Sequence, residues 1–473
     1  MPLIKSISGI RGTIGGVSGE NLTPLDIVNF TGVFVLFLNK KYPGTKIKVV
    51  IGRDGRVSGE MVKNLTVGTL LARGVNVIDL GLATTPTVEV VVVGQKAQGG
   101  IILSASHNPQ GWNALKFIDA RGEFLSKVDG EEILALAQEN KGDFSSEENL
   151  GSYVINPFLF QEHLRQILEI PLVDVETIKS KNLKVVVDGI NAVGGMAVPE
   201  LLKLLGIDNI IELNCEPNGQ FTHKPEPLAE NLAQIREVVK KEKADLGIVV
   251  DPDVDRLAFI MENGEMLSEE YTIVAIADYV LENFAVIETA RPGKYTKNTV
   301  SNLSSSRALK DITEKHGGQY EAAAVGEVNV VTKMKELRSV IGGEGNGGVI
   351  FPELHYGRDA LVGIALFLSY LVKKNISMSE MYQELPQYFM VKDRIELTPD
   401  INLPAILEQI KQTYSTEKST DIDGVKIDWA DSWVHLRGSN TEPIIRVYAE
   451  AKTLELAQAK VKEIKDNILA YIK

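Results

Sequence analysis

The sequence predicts three α/β units followed by a smaller α+β unit, and three observations carry that reading. First, 473 residues exceed what one hydrophobic core serves, and at roughly 150 residues per domain they imply about three. Second, a β-branched run leading into a Gly-rich or polar turn and then into helical spacing occurs three times, the pattern of βα units. Third, the texture changes near Met378, after which short strand candidates precede a charged helix.

In the first region Ile47 to Ile51 reads as a buried strand, GRDGRVSGE as a turn, Met61 to Arg73 as an amphipathic helix and Val75 to Asp79 as the next strand. A further apolar run, Ile101 to Leu103, ends in a polar loop. The second region starts with the strand Lys184 to Asp188 and the helix Met196 to Leu205, passes a proline-rich loop from Glu216 to Glu230, and reaches the strand Leu246 to Val250. The third has strands near Tyr295 to Val300 and Ser339 to Ile341, with Ala360 to Lys373 as its apolar helix. In the last region Val434 to Arg437 and Ile444 to Tyr448 read as strands and Leu454 to Ile472 as a helix. Polar or Gly-rich interruptions place the domains at 1–152, 153–264, 265–377 and 378–473.

Composition narrows the function. Hydrophobic residues make up 44% and charged residues 24%, as in an ordinary soluble globular protein. A net charge of −13 opposes binding to nucleic acid or anionic lipid, so an anionic substrate would need a locally basic pocket. Cys215 is the only cysteine, which excludes an intrachain disulfide and a four-cysteine zinc site and points to a reducing compartment. The N-terminal MPLIKSISGIRGTIGG lacks the unbroken apolar stretch of a secretory signal, and the expectation is a cytoplasmic protein. Ala360 to Val372 falls short of the ~20 residues that span a bilayer and reads as a buried helix.

Four loops carry chemistry. SASHNPQGWNALKF, Ser104 to Phe117, follows a buried strand at the carboxyl end of a sheet, where α/β proteins place ligands. Ser106 is its candidate nucleophile, with His107 and Lys116 close enough in sequence to activate it; a polar turn fixed by Asn108 and Pro109 is the alternative. DPDVDR places Asp251, Asp253 and Asp255 at alternate positions after an apolar strand, a density of oxygen ligands that selects Mg²⁺ or Ca²⁺. An EF-hand is disfavoured because Arg256 stands where the sixth-position glycine is required. In GGEGNGGV, Glu344 and Asn346 lie among five glycines that let backbone approach a ligand, and both can bond sugar hydroxyls; a plain Gly-rich turn is the alternative and, for this loop alone, the commoner case. RGSNTEPIIR brackets Ser439, Asn440 and Thr441 with Arg437 and Arg446, a donor set suited to a phosphate dianion or to a salt-bridged corner.

Taken in order and spacing over essentially the whole chain, these loops resemble those of the α-D-phosphohexomutases: phosphoglucosamine mutases, phosphomannomutases and phosphoglucomutases. The resemblance implies three related mixed-sheet α/β domains and a smaller α+β phosphate-binding domain around a central cleft. It implies a Ser-His-Asn-Pro phosphoserine at Ser106, Mg²⁺ held by Asp251, Asp253 and Asp255 with Ser106 completing the set, and a sugar loop at Glu344. It also implies a phosphate loop at Arg437, Ser439 and Thr441. SGIRG looks like the family's opening strand, with Arg11 facing the site, and Glu327 in VGEVNVV occupies another substrate-facing position. Departures are the residues between the aspartates, where many members have glycine, Asn346 in place of serine, and Ala114 in place of glycine.

The expected reaction is intramolecular phosphotransfer through a bisphosphorylated sugar, with hexose 1,6-bisphosphate as intermediate and activator. Glucosamine 6-phosphate to glucosamine 1-phosphate is the leading assignment, and phosphomannomutase or phosphoglucomutase the alternative. A serine-dependent sugar phosphatase and a noncatalytic sugar-phosphate binding protein are the remoter readings. Lys116 is expected to carry the proton, its pKa lowered by Mg²⁺, Arg11 and Arg256, with His107 as rival. Arg256, Asn440 and Arg446 join the substrate contacts. The partner is a hexose phosphate, with no nucleic acid or membrane, and the chain is expected to be a monomer or homodimer.

Overall fold

The structure is a computed structural model that describes residues 3–6, 9–139, 143–397, 402–438 and 444–472. Four sheets organise it. The first has seven strands in the order Ile4–Ser6, Gly9–Thr13, Trp112–Asp119, Gly99–Leu103, Lys48–Arg53, Asn76–Leu82 and Tyr153–Ile155. The last four run parallel, while Trp112–Asp119 is antiparallel to both of its neighbours. Every residue of Gly99–Leu103 and of Trp112–Asp119 is buried, because the helices Pro24–Lys41 and Thr85–Gly94 cover the sheet. Stacking of Phe34 on Phe117, with centroids 4.5 Å apart, fixes one of these contacts.

The second sheet, Met266–Leu267, Leu257–Met261, Leu246–Val250, Lys184–Asp188 and Asn209–Leu213, is parallel over its last three strands and antiparallel over the rest. The aspartate loop is the turn between Leu246–Val250 and Leu257–Met261. A third sheet of four strands, Tyr320–Ala323, Thr296–Asn302, Ser339–Glu344 and Gly348–Ile350, packs on the helix Ala360–Lys374. Phe367 of that helix stacks on Phe259 of the second sheet at 3.9 Å, so the second and third domains share one core. The last sheet is an antiparallel set of five covered by Leu454–Ile472.

Apolar runs fall where the sequence places them: Lys184–Asp188 and Leu246–Val250 are strands, and Ala360–Lys374 is a helix with Ala360 to Val372 all buried. Among the described residues no single helix is long and apolar enough to cross a membrane. Two segments lie across the expected divisions at 152 and 377. Tyr153–Ile155 closes the edge of the first sheet, and Met378, Met381 and Tyr388 belong to the core shared by the second and third domains.

Candidate active site

The site is assembled at the carboxyl ends of the first three sheets. Ser106 follows Gly99–Leu103 and adopts φ +48°, a left-handed turn that lifts its hydroxyl out of the chain direction. Its backbone N–H donates to Ser104 Oγ (2.9 Å), and the Ser104 hydroxyl donates to Asp54 Oδ2 (2.6 Å). Arg56 holds the same loop from beneath. Its buried guanidinium donates to Asp54 Oδ2 and to the carbonyls of Ser106, Asn108, Pro109 and Trp112, at 2.5 to 3.0 Å. Four carbonyls converging on one fork fix the loop's shape.

Ser106 Oγ donates to Asp251 Oδ2 at 2.6 Å and lies 3.4 Å from His107 Nδ1. Asp251, Asp253 and Asp255 are fully buried, and their ligand atoms lie within 4.8 Å of one another. Burial, then Asp255 and Asp253, pushes the Asp251 carboxyl well above its ordinary range. For Asp253 burial acts upward too, but the Lys116 ammonium outweighs it and holds the group far below. Lys116 Nζ donates to Asp253 Oδ2 at 2.6 Å, and Thr85 Oγ1 donates to the same oxygen at 2.7 Å. Asp253 Oδ1 and Asp255 Oδ1 are buried without a hydrogen-bond partner. Carboxylate oxygens left over at this density suit a hard divalent cation.

Third-domain residues face this loop. Arg358 donates to Asp255 Oδ2 (2.6 Å), Glu344 Oε2 (2.7 Å) and Glu327 Oε2 (2.9 Å). Glu344 Oε1 accepts from Asn302 Nδ2 (2.8 Å) and the Gly326 N–H (3.0 Å). Burial pushes Glu327 up to about 7, whereas for Glu344 the nearby Arg358 outweighs burial and lowers the carboxyl. Asn346 Oδ1 accepts from the Gly348 N–H within its own turn (3.2 Å). Arg256 donates to Glu226 Oε1 (2.9 Å), and its Nε is 3.8 Å from Asp255 Oδ1. Arg11 lies in the same field: burial and Arg256 lower its pKa, while Asp253 and Asp255 act to raise it. In the last domain Arg446 Nη1 donates to Tyr448 (3.2 Å), and the Arg437 guanidinium feels both Asp423 and Glu344. Ser439, Asn440 and Thr441 lie outside the described residues.

One expectation about Lys116 is corrected, and its pKa shifts, under the protein's own charges alone, opposite to the lowering expected beside Mg²⁺. It sits on the antiparallel strand Trp112–Asp119, paired with Ile102, and not in the serine loop. Burial acts to lower its pKa, but Asp253 and Asp255 outweigh both burial and Arg11, so the pKa is raised. His107 goes the other way: burial, then Arg256, Arg11 and Arg358, holds it well below its ordinary value and keeps the imidazole neutral. Sequence reasoning passed over Arg56, Thr85 and Arg358. The only trace of Arg56 was a charged residue inside a Gly-rich turn.

The geometry gathers a serine hydroxyl, three buried carboxylates and several cationic side chains, a set suited to metal-assisted group transfer. Four consecutive segments, 4–143, 160–264, 268–389 and 393–468, match the phosphoglucomutase/phosphomannomutase alpha/beta/alpha domains I, II and III and the C-terminal domain of that family. The chain is 34% identical to a phosphoglucomutase/phosphomannomutase of Thermococcus kodakarensis, over 94% of this chain and 95% of the relative. It is 32% identical to a phosphoglucosamine/phosphogalactosamine mutase of Sulfurisphaera tokodaii, over 96% and 97%. In fold it is similar to a phosphoglucomutase/phosphomannomutase family protein of Burkholderia thailandensis, with a TM-score of 0.84, 23% identity and coverage of 99% and 97%. It is also similar to the N-acetylphosphoglucosamine mutase of Aspergillus fumigatus in complex with GlcNAc-6P and magnesium, with a TM-score of 0.60, 15% identity and coverage of 99% and 96%. The chain belongs to the phosphoglucomutase/phosphomannomutase family and is a phosphohexomutase.

Proposed function

We propose that the enzyme interconverts hexose 6-phosphates and 1-phosphates through a phosphoserine at Ser106, with glucosamine phosphate as its preferred substrate. The observation that carries the reading is the 2.6 Å contact from Ser106 Oγ to Asp251, which places a hydroxyl against three converging buried carboxylates. Asp251, Asp253 and Asp255 would hold Mg²⁺, with a phosphoryl group on Ser106 as a further ligand. When bound, the ion supplies positive charge to the transferring group.

The phosphoryl group of phosphoserine 106 passes to a sugar hydroxyl: the new P–O bond forms to the sugar as the bond to Ser106 Oγ breaks. The resulting hexose 1,6-bisphosphate turns around and returns its other phosphoryl group to Ser106. The proton lost by the sugar hydroxyl is matched by one gained at Ser106 Oγ: Lys116 Nζ, held against Asp253, would give a proton to the departing Oγ and take the hydroxyl's in exchange, and neutral His107 beside Ser106 is the rival carrier. Arg11 and Arg256 balance charge around the transferring group. Glu327, Glu344 and Asn346 read the sugar hydroxyls, and Arg437, Ser439, Asn440, Thr441 and Arg446 anchor the phosphate that is not reacting. The sugar assignment draws on the names of the relatives, among them the phosphoglucosamine/phosphogalactosamine mutase of Sulfurisphaera tokodaii. Phosphomannomutase or phosphoglucomutase activity is the second reading, supported by the relative from Thermococcus kodakarensis. The single cysteine, half-buried Cys215, accords with a cytoplasmic location.

The test is an assay of the purified protein with Mg²⁺ and a trace of hexose 1,6-bisphosphate against glucosamine, glucose and mannose phosphates. Isomerisation fastest with glucosamine phosphate is expected; release of free sugar without isomerisation rejects the mutase reading. Intact-mass measurement is expected to show a phosphate adduct that Ser106→Ala loses, and full turnover in that variant rejects the serine.

A further inference from the structure

A second convergence of ligand-type side chains lies where the first and third domains meet the helix Phe160–Leu168. His163 Nε2 is 2.9 Å from Asp359 Oδ2, and His355 Nε2 is 3.3 Å from the same oxygen. The three ligand atoms lie within 4.8 Å of one another, and His163 and Asp359 are fully buried. His355 keeps 8% exposure, which leaves one edge open to solvent.

The other ring nitrogens face polar groups from outside, though only the one on His163 has a hydrogen-bond partner. Thr87 Oγ1 lies 3.0 Å from His163 Nδ1, and Glu89 Oε2 lies 3.2 Å from His355 Nδ1. The remaining Asp359 oxygen accepts from the Leu361 and Val362 N–H groups, capping the helix Ala360–Lys374 and turning Oδ2 toward the two rings. This is the arrangement of a metal site whose histidines are oriented by a hydroxyl and a carboxylate behind them.

We propose that His163 Nε2, His355 Nε2 and Asp359 Oδ2 form a structural site for Zn²⁺, with Glu89 and Thr87 orienting the two imidazoles and water as the fourth ligand. Two imidazoles with one carboxylate suit zinc and not Mg²⁺. Bonds of about 2.0–2.2 Å put tetrahedral ligand atoms about 3.4 Å apart, so the 3.3 Å edge already matches and the 2.9 Å edge would open by about half an ångström. Charge permits the ion as well: Asp359 and Glu89 outweigh burial and push His355 up to about 10, and the ion would take the place of that proton. Glu89 is fully buried and neither of its oxygens has a well-aligned hydrogen bond, so the pocket holds two carboxylates against two imidazoles. A divalent ion with neutral imidazoles balances them. Gly357 is part of the design: a Cβ there would fall 1.9 Å from Glu89 Oε2 and 2.9 Å from His355 Cε1, so only glycine leaves room for this carboxylate–imidazole pair.

The ion would tie His163 of the second domain to the turn from His355 to Asp359 of the third, the turn that carries Arg358, with Thr87 and Glu89 of the first domain's helix Thr85–Gly94 behind the two rings. The site does not depend on the proposed reaction. Its test is metal content. Protein made in zinc-supplemented medium, then gel-filtered in excess Mg²⁺ to fill the aspartate site, is expected to retain about one zinc per chain by mass spectrometry. His163→Gln and His355→Gln are expected to lose it, and Co²⁺-loaded wild type to show the intense visible band of four-coordinate cobalt. Glu89→Gln and Thr87→Val keep every ligand and are expected to weaken zinc binding about 10- to 100-fold. Zinc-free wild type, zinc retained by the histidine variants, a six-coordinate cobalt spectrum, or unchanged zinc affinity in both Glu89→Gln and Thr87→Val would each overturn the site.

Discussion

The guanidinium of Arg358 donates to Asp255 Oδ2 at 2.6 Å, reaching from the third domain into the aspartate loop of the second. Its other nitrogens bind Glu327 and Glu344, so one largely enclosed cation, its side chain 11% exposed, holds three buried carboxylates. Burial alone would lower its pKa, but these carboxylates raise it, and the charge is permanent.

Removing that charge strands the carboxylates. Arg358→Gln is expected to lose about 3–5 kcal/mol of unfolding free energy without metal, the cost of breaking a buried ion pair. Mg²⁺ should then raise the melting temperature of the variant more than that of wild type, because the ion takes over Asp255. Denaturation with and without Mg²⁺ reads this directly. An equal Mg²⁺ shift in both proteins would show that Arg358 and the ion do not share the loop.

Arg56 supports the serine loop without facing the aspartates. Lysine keeps the charge but cannot span Asp54 and four carbonyls, so Arg56→Lys should leave the chain folded with Ser106 displaced. A misplacement of about 1 Å costs about 10²-fold in rate, and kcat should fall by that order while KM changes little. The phosphate adduct seen by intact mass should fall with it. A wild-type kcat in Arg56→Lys would reject the supporting role.

How much of this was legible in the sequence depends on the distance over which each feature is decided. Lys184–Asp188 and Leu246–Val250 were readable because a continuous apolar run bounded by polar turns has few ways to be buried. Asp251, Asp253 and Asp255 were readable as a group because alternate carboxylates have an obvious electrostatic cost. Trp112–Asp119 was not, since all eight of its side chains are buried and the sequence shows no alternation. Its pairing with Gly9–Thr13, about a hundred residues away, is what makes it a strand and sets Arg11 opposite Ala114. Arg56 left only the trace of a charge in a Gly-rich turn, and Arg358 none, because the carbonyls held by Arg56 and the carboxylates held by Arg358 are gathered from distant turns. His163 and His355 were equally silent, being single histidines in unremarkable stretches.

Val254 occupies the aspartate loop with φ +63° and its side chain fully buried. A β-branched residue is strained there, and its N–H and C=O are nevertheless committed, to Asp251 O and to the Ala360 N–H. Alanine would keep the strain and lose the packing, while glycine would lose the packing and relieve the strain. Val254→Gly should therefore be more stable than Val254→Ala by about 1 kcal/mol, the reverse of the usual order. Urea unfolding of the two variants decides it, and the ordinary order would remove the strain argument.

His435 sets a pH limit on the seam between the third and fourth domains. Its Nε2–H donates to Asp423 O at 2.7 Å, and its Nδ1 accepts from the Ser304 hydroxyl at 2.9 Å. Burial first, with Lys426 and Arg437 adding to it, pushes the imidazole down to about 4. Between that value and the unfolded pKa near 6.5 the unfolded chain binds more protons than the folded one, so stability rises with pH across this window and is lost as the pH falls. The contribution lost between pH 7 and pH 4.5 is about 2 kcal/mol. His435→Asn can bond at the same place but does not titrate. The unfolding free energy of wild type relative to this variant should therefore drop by about 2 kcal/mol between pH 7 and pH 4.5, since groups common to both cancel. A difference that stays constant across the window would mean that His435 is not held neutral by burial at the seam.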